Sequence, residues 1–192
     1  MKKLVPILVA VIAAFVPKTN GGETPKGWFR AGSHPKEYEM ALDHAVTHGG
    51  KASASLKSVV LETSGFGTLM QTFKADAHRG QRVRLSGYLL SKDVSDWAGL
   101  WMRVDGPKNE VLAFDNMQDR AIKGTGDWQK CEIVLDVPEE AQEIAFGLLL
   151  TGRGQVWMDD LKFEAVGKDV PTTGGGLNQR APQGPKNLDF EE

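Results

Sequence analysis

Alternating apolar and polar positions recur along most of the chain and predict β-strands. The clearest case is residues 81–90, where every second residue is apolar or glycine. Residues 98–104 and 128–137 repeat this period of two, and residues 143–150 form a nearly continuous apolar run. A strand with one solvated face alternates in this way, whereas a strand covered on both faces is apolar throughout.

Short polar segments separate these strands and contain strong turn formers. Examples are Asp105-Gly106-Pro107 and the run Thr47 to Lys51, which has two adjacent glycines. Residues 116–127 are polar and are predicted as a long loop. No amphipathic helix longer than a turn or two is predicted. Eight or nine strands joined by turns predict an all-β fold, a two-sheet antiparallel β-sandwich of jelly-roll type.

The two ends of the chain differ from the strand-rich part. Lys2 and Lys3 precede an uncharged apolar run, which has the proportions of a signal peptide and is too short to span a bilayer. We expect residues 1–22 to be a signal peptide and residues 23–166 to be the β-sandwich, in a secreted or periplasmic protein. Residues 167–186 are rich in Gly, Pro and Gln and predict a flexible linker. Residues 187–192 carry two spaced apolar residues and predict a C-terminal strand that completes the sandwich.

Composition excludes several classes of protein. A net charge of −2 and a pI near 6.1 give no basic footprint for nucleic acid. The single cysteine, Cys131, excludes an internal disulfide and a cysteine-based zinc site, and its phase with Ile133 and Leu135 predicts burial. The sequence has no nucleophile elbow and no phosphate-binding loop, and its four histidines are scattered, so we expect no enzyme activity.

An adjacent carboxylate pair, Asp159-Asp160, interrupts the last predicted strand. Neighbouring strand residues point to opposite faces, so one of the two carboxylates is expected to face inward. A buried carboxylate needs a partner. A cation, backbone N–H groups, or a side chain such as Lys51 or Arg153 would each supply one.

Several runs in the chain resemble a known group of modules. Together they are similar to galactose-binding-like jelly-roll domains, which are grouped with carbohydrate-binding modules, and in particular to non-catalytic domains found beside secreted bacterial peptidases. The matching runs are Gly27 to Phe29, His48 to Ser53, Phe66 to Gln71, Trp97 to Asp105, Phe114 to Arg120, Gly124 to Trp128 and Val156 to Phe163.

The resemblance implies a structural calcium under the last strand. Its ligands would be Asp159 or Asp160, a carbonyl of Gly50 or Lys51, and Glu191. Such modules also begin with Asn-x-x-Phe-Glu, which here stands at the C-terminus from Asn187. The tail would then fold back as the missing first strand, pair with a neighbouring molecule, or be disordered.

Candidate ligand-binding residues follow from the needs of a carbohydrate site, which are aromatic faces and planar polar groups. If the middle strands are neighbours in one sheet, their outward residues line one groove with a polar rim. The set is Arg84, Tyr88, Trp101, Arg103, Asp115 and Gln118. The alternatives are that the arginines form ordinary cross-strand pairs and that Trp101 belongs to the core.

Two functional hypotheses follow from these features. The first is an exported, non-catalytic module that binds a carbohydrate or a similar polar surface ligand. The alternative is an accessory domain that binds a partner chain through exposed aromatics, such as Trp97 and Trp101, or by strand addition.

Overall fold

The computed structural model describes residues 22–174, which form nine strands and four short 3-10 turns. The strands are β1 (Phe29–Gly32), β2 (Tyr38–Asp43), β3 (Ser53–Ser58), β4 (Phe66–Lys74), β5 (Arg82–Asp105), β6 (Val111–Asp115), β7 (Ile122–Asp136), β8 (Glu143–Thr151) and β9 (Gln155–Val166). The 3-10 turns are Pro35–Glu37, Ala75–Ala77, Pro107–Asn109 and Gln118–Arg120. The predicted all-β, two-sheet sandwich is confirmed.

The long strand β5 belongs to both layers of the sandwich. Its second half, from Trp97 to Asp105, pairs with β8 and, near its end, with β6, and this sheet continues through β4 to β1. Its first half, from Arg82, pairs with β7 and β9, and this sheet continues through β3 to β2. We call these the first sheet and the second sheet.

The core lies between the two sheets and is built from every second residue of their strands. Its members come from both halves of β5 and from the strands that flank them, which accounts for the alternation in the sequence. The largest fully buried side chains are Met40, Leu56, Leu69, Leu85, Leu89, Leu100, Met102, Ile133, Leu135, Ile144, Leu148 and Leu150. Cys131 is 5% exposed, as predicted.

Two boundaries predicted from the pattern differ in the structure. Residues 81–90 and 98–104 were expected to be separate strands, but β5 runs through both, with bulges that turn it from one sheet into the other. Residues 122–127 were expected to be loop, but they begin β7, where Gly124 and Gly126 pair with Val94 and Ser91 across that bend. Gly124 has a left-handed φ of 69°, which glycine adopts more readily than other residues, so it suits this irregular pairing.

The chain after β9 packs against the sandwich as far as the structure describes it. The Arg82 guanidinium donates to the carbonyl oxygens of Lys168 and Val170, and the Thr173 N–H donates to the Val134 carbonyl. Residues 167–174 therefore form a strap along β7, although composition predicts a flexible linker there. The predicted signal peptide, apart from Gly22, and the rest of the linker and the C-terminal strand lie outside the described residues. Within residues 22–174, no helix is long and apolar enough to cross a membrane.

Candidate functional site

The outer face of the first sheet holds an aromatic cavity of about 530 Å³, which we call the cleft. Trp101, Ala145 and Leu149 form a buried cluster there, separate from the core and flanked by half-buried aromatics. The residues that line the cleft are Ala31, Gly32, Ser33, Phe66, Thr68, Met70, Trp101, Arg103, Phe114 and Leu149.

Trp101 forms part of the floor of the cleft. Its neighbours Leu100 and Met102 point into the core, so the indole points to the outer face of the sheet as predicted, yet it is only 7% exposed. The indole N–H donates to Thr68 Oγ1 at 2.7 Å, two strands away. The indole position is therefore fixed by this hydrogen bond and by its place in the cluster with Ala145 and Leu149.

The polar rim of the cleft is preorganised by an ion pair. Arg103 Nε lies 3.0 Å from Asp105 Oδ2 and 2.9 Å from Asp105 Oδ1, and the arginine side chain is 43% exposed. The Asp105 carboxylate is 9% exposed and holds the guanidinium of Arg103 in place. Phe114 is the partner of Arg103 in the strand register and lies beside it. Arg103 therefore presents its remaining N–H groups at the rim.

A more polar cavity adjoins the cleft at each end. At one end Phe66 is shared with a cavity of about 380 Å³, which is lined by Ser64, Asp96 and Thr151 among others. At the other end Phe114 is shared with a cavity of about 510 Å³, which contains Gln118 and part of the strap. The strand register places Phe66 and Phe114 roughly 25 Å apart along a diagonal of the sheet. The three cavities therefore lie next to one another along the first sheet, and the cleft shares one phenylalanine with each of the other two.

The structure does not bring the predicted ligand-binding set into one groove. Trp101 and Arg103 lie on the first sheet, but Arg84 and Tyr88 lie on the second, because β5 passes from one sheet to the other. Arg84 forms a cross-strand pair with Glu164 at 2.7 Å. Tyr88 is stacked against His48, with ring centroids 3.7 Å apart. The prediction of a single groove is therefore wrong.

The two remaining members of the set lie near the end of the cleft. Asp115 is 7% exposed and accepts hydrogen bonds from Arg120, Thr173 and the Met117 N–H. Burial alone would raise the pKa of Asp115, but these hydrogen bonds outweigh it and lower the pKa below its ordinary value. Asp115 thus organises the end cavity. Gln118 is exposed and lines that cavity.

Neither carboxylate of the Asp159-Asp160 pair is buried, so the prediction of an inward carboxylate is wrong. The register of β9 against β5 shifts between Ser86 and Tyr88, and Asp160 has a left-handed φ of 51°. This β-bulge breaks the alternation and turns both side chains toward the same loop. Asp159 Oδ2 accepts from the His48 and Gly49 N–H groups at 2.8 and 3.1 Å, and Asp160 Oδ2 lies 2.6 Å from His48 Nδ1.

The described residues fit a calcium ion poorly at this place. Asp159 is occupied by N–H donors, and the Lys51 carbonyl oxygen lies 3.0 Å from His44 Nδ1, while Gly50 is a left-handed turn residue with φ 64°. Among residues 22–174 no group of three His, Cys, Asp or Glu side chains could hold a metal. Glu191 lies outside the described residues, so calcium binding stays a prediction.

Sequence reasoning missed most of the cleft, namely Phe66, Thr68, Met70, Phe114 and Leu149. The available signal was the run 143–150, which is apolar in both phases. Its outer phase, with Ala145 and Leu149, packs in the cleft cluster. Trp97 and Trp101, proposed as exposed contacts for a protein partner, are half-buried and buried respectively.

Comparisons with known proteins agree with this architecture. The chain superposes on the CBM22-1 xylan-binding domain of Paenibacillus barcinonensis Xyn10C with a TM-score of 0.55 and 14% identity, over 76% of this chain and 90% of that one. It also superposes on the Stig cyclase Fisc from Fischerella sp. TAU with a TM-score of 0.53 and 15% identity, over 75% of this chain and 87% of that one. The fold thus occurs in a binding module and in an enzyme.

A sequence relative is also known. An uncharacterized HTH-type transcriptional regulator, YbfP, of Bacillus subtilis (strain 168) is 49% identical over 168 residues, which are 87% of this chain. The match spans 57% of the length of YbfP, so a large part of that protein has no counterpart here. No protein-family model matches the chain. The structural comparisons nevertheless show that the chain is a jelly-roll β-sandwich with the fold of carbohydrate-binding modules.

Proposed function

We propose that this protein is a non-catalytic module that binds a carbohydrate chain in the cleft. The observation that carries the proposal is the row of three adjoining cavities on the first sheet, with aromatic side chains in the cleft and polar groups in the cavities beside it. Sugars have apolar C–H faces and a periphery of hydroxyls, so they match aromatic faces flanked by hydrogen-bonding groups. The cleft residues Phe66 and Phe114 would contact sugar faces, and Arg103 would donate to hydroxyls.

The row of cavities favours an internal stretch of a chain over a chain end. On each side of the cleft lies a further cavity with polar lining residues. A bound chain could therefore continue in both directions. Affinity is then expected to rise with the number of sugar residues until the three cavities are filled.

The absence of enzyme activity is part of the proposal, because the fold also occurs in a cyclase. It is supported by the state of the two most buried carboxylates near the cleft. Asp105 is paired with Arg103, and Asp115 with Arg120 and Thr173. Both carboxylates are engaged in ion pairs, and the hydrogen bonds to Asp115 lower its pKa, whereas a general acid needs a raised pKa.

The direct test is isothermal titration of the protein with soluble xylan and with xylo-oligosaccharides of increasing length, followed by a glycan array. Phe114→Ala should weaken binding by about 2 kcal/mol, roughly 30-fold, as expected for an aromatic anchor. Phe73→Ala, which removes an equally large ring that packs at the edge of the main core, is the matched control and should leave affinity unchanged in the folded protein. Failure of the wild-type protein to bind any glycan on the array would refute the proposal.

A second candidate function rests on the relative from Bacillus subtilis. Residues 22–174 contain no α-helix, so they contain no helix-turn-helix, and a shared segment of this kind would serve as the ligand-sensing part of a regulator. A sensor of this kind binds a small soluble ligand. Affinity that is already maximal for a mono- or disaccharide would favour the sensor, whereas affinity that grows over several sugar residues favours the module.

Export separates the two candidates as well. We propose that the chain is exported through its N-terminal apolar segment, which the sequence predicts to be a signal peptide. Fractionation of the source cells, with N-terminal sequencing of the recovered protein, should find a mature chain outside the cytoplasm that begins near Gly22. An uncleaved cytoplasmic chain would favour the sensor.

A further inference from the structure

The outer face of the second sheet carries another groove, on the opposite side of the sandwich from the cleft. It consists of cavities of about 700 and 180 Å³ that share Lys92, Asp93 and Gln155. We call it the groove. Its lining is Val46, Lys57, Ser58, Leu90, Ser91, Lys92, Asp93, Thr125, Gly126, Asp127, Gly154, Gln155 and Trp157.

The strand register arranges the groove in two parallel rows. Lys92, Gln155 and Lys57 are direct partners on β5, β9 and β3, so their side chains form a polar row across three strands. Two residues from Lys92 and Gln155 along the same strands, Leu90 pairs with Trp157. These two form an apolar row beside the polar row. Because side chains on one face repeat every second residue, both rows face the same side. An apolar strip next to a line of hydrogen-bonding groups results.

The indole in the apolar row is held in a fixed orientation. Trp157 is 6% exposed, and its N–H donates to Asp43 Oδ2 at 2.8 Å. The other oxygen of Asp43 accepts from the Ala45 and Val46 N–H groups, so the loop after β2 is tied to the same carboxylate. These hydrogen bonds lower the pKa of Asp43, the one from Trp157 most, and the carboxylate stays ionised. With its N–H engaged, the indole lines the groove beside Leu90 through the small part of its ring that is exposed.

Two irregular residues border the groove. Asp93 has a left-handed φ of 54°, and it is held there by Thr125, whose hydroxyl accepts from the Asp93 N–H at 2.9 Å and lies 3.2 Å from its carboxylate. Strained backbone of this kind is concentrated at binding and catalytic sites. Ser91, which is 1% exposed, has no hydrogen-bond partner for its hydroxyl among the described residues, but it pairs with the core residue Val156, so its side chain points away from the groove.

We propose that the groove is a second saccharide-binding site, independent of the cleft. The chemistry is that of a sugar ligand, since a fixed indole and Leu90 would meet C–H surface while Lys92, Gln155 and Asp127 would bind hydroxyls. Two sites on opposite faces of one sandwich cannot serve a single short chain. The module therefore bridges two glycan chains and cross-links a polymer.

The test uses the full chain on a glycan array that carries neutral and uronate-containing oligosaccharides, with xylohexaose among them. Four proteins are compared: wild type, a cleft variant (Phe66→Ala with Phe114→Ala), a groove variant (Lys92→Ala, Gln155→Ala and Asp127→Ala), and the control Lys74→Ala. The groove residues chosen are exposed or half-buried, so the variant should fold, which thermal unfolding verifies. Salt dependence of the signals distinguishes acidic from neutral sugars.

The cleft variant is expected to keep binding a subset of the glycans. The groove variant should bind that same subset about tenfold or more weakly than wild type. Wild type, but neither variant, should then increase the turbidity of a polysaccharide solution by cross-linking. Loss of every glycan signal in the cleft variant, or an unchanged groove variant, overturns the second site and leaves the cleft standing. Binding that only the groove variant loses would overturn the cleft as the site instead.

Discussion

Trp101 combines a structural and a binding role at one residue. The indole is buried within the cleft cluster and hydrogen-bonded to Thr68, yet it lies on the outer face, where a ligand would bind. Trp101→Ala should therefore lower the free energy of unfolding by about 3 kcal/mol or more and weaken glycan binding as well. Urea unfolding and titration measure the two effects. Unchanged stability would show that the indole is not packed as described.

Trp101→Phe separates the two roles. It keeps an aromatic ring in the floor but leaves the Thr68 hydroxyl without the indole donor, which should cost about 1 kcal/mol of stability. The hydroxyl still donates to the Leu148 carbonyl oxygen at 2.8 Å, so Thr68 is not left unsatisfied. Binding should fall much less than in Trp101→Ala.

Cys131 is chemically inert in the folded protein. Burial raises the pKa of its thiol to about 11, so almost no thiolate exists near neutral pH. A thiol reagent should react with the native protein at least about 100-fold more slowly than with the protein in urea. Mass spectrometry of alkylated samples measures both rates. Rapid alkylation of the native protein would contradict the burial.

At the scale of elements, the strap after β9 is fastened by hydrogen bonds at several points. A chain that ends at Val166 loses the bonds of Lys168, Val170 and Thr173, and its free energy of unfolding should fall by on the order of 3 kcal/mol. A chain that ends at Gly174 is the control for this loss. If it matches the full chain, the C-terminal strand predicted from Asn187 adds no stability, whereas a further fall would support that strand.

The strap also makes the free energy of unfolding depend on pH. Arg82, and with it Lys168, lowers the pKa of Asp136 from its ordinary 3.8 to about 2. A depressed folded pKa stabilises the fold above the unfolded value, and this contribution is lost as the pH falls from about 4 toward 2. Asp136→Asn should flatten the pH dependence of the urea midpoint in that window. Asp76→Asn, which removes an exposed carboxylate paired with Arg79, is the control for the loss of a surface charge.

Period-two patterns predicted the strands well but not their partners. Alternation says which residues share a face of one strand, so the core phases of residues 81–90 and 98–104 were right. It does not say which sheet a strand joins, and β5 joins both, which put Tyr88 and Trp101 on opposite sides. The prediction of an inward carboxylate at Asp159-Asp160 failed for a related reason. One left-handed residue, Asp160, resets the alternation of side chains along β9, and only the pairing with β5 reveals it.

The cleft and the groove are properties of the whole molecule, because strand pairing decides which side chains meet. The cleft needs side chains from β1, β4, β5, β6 and β8, which span much of the sequence. Each contributes one to three residues whose local pattern looks like an ordinary sheet face. Composition marked the aromatic and polar residues as candidates, but only the topology decides which of them meet.

Because β5 is shared, the two sheets cannot unfold independently. Separating either one from the core would break the pairing of the same strand and expose the inner face of the other. Unfolding should therefore be a single two-state transition. Trp101 reports on the first sheet and Trp157 on the second, so variants that keep only one of them, with the other tryptophans changed to Phe, provide separate probes. Within each variant, the tryptophan fluorescence and far-UV circular dichroism should give the same urea midpoint. A fluorescence transition that precedes the loss of strand signal in one variant would show that its sheet opens first, and that β5 bends at Asp93 as a hinge instead of joining the sheets into one cooperative unit.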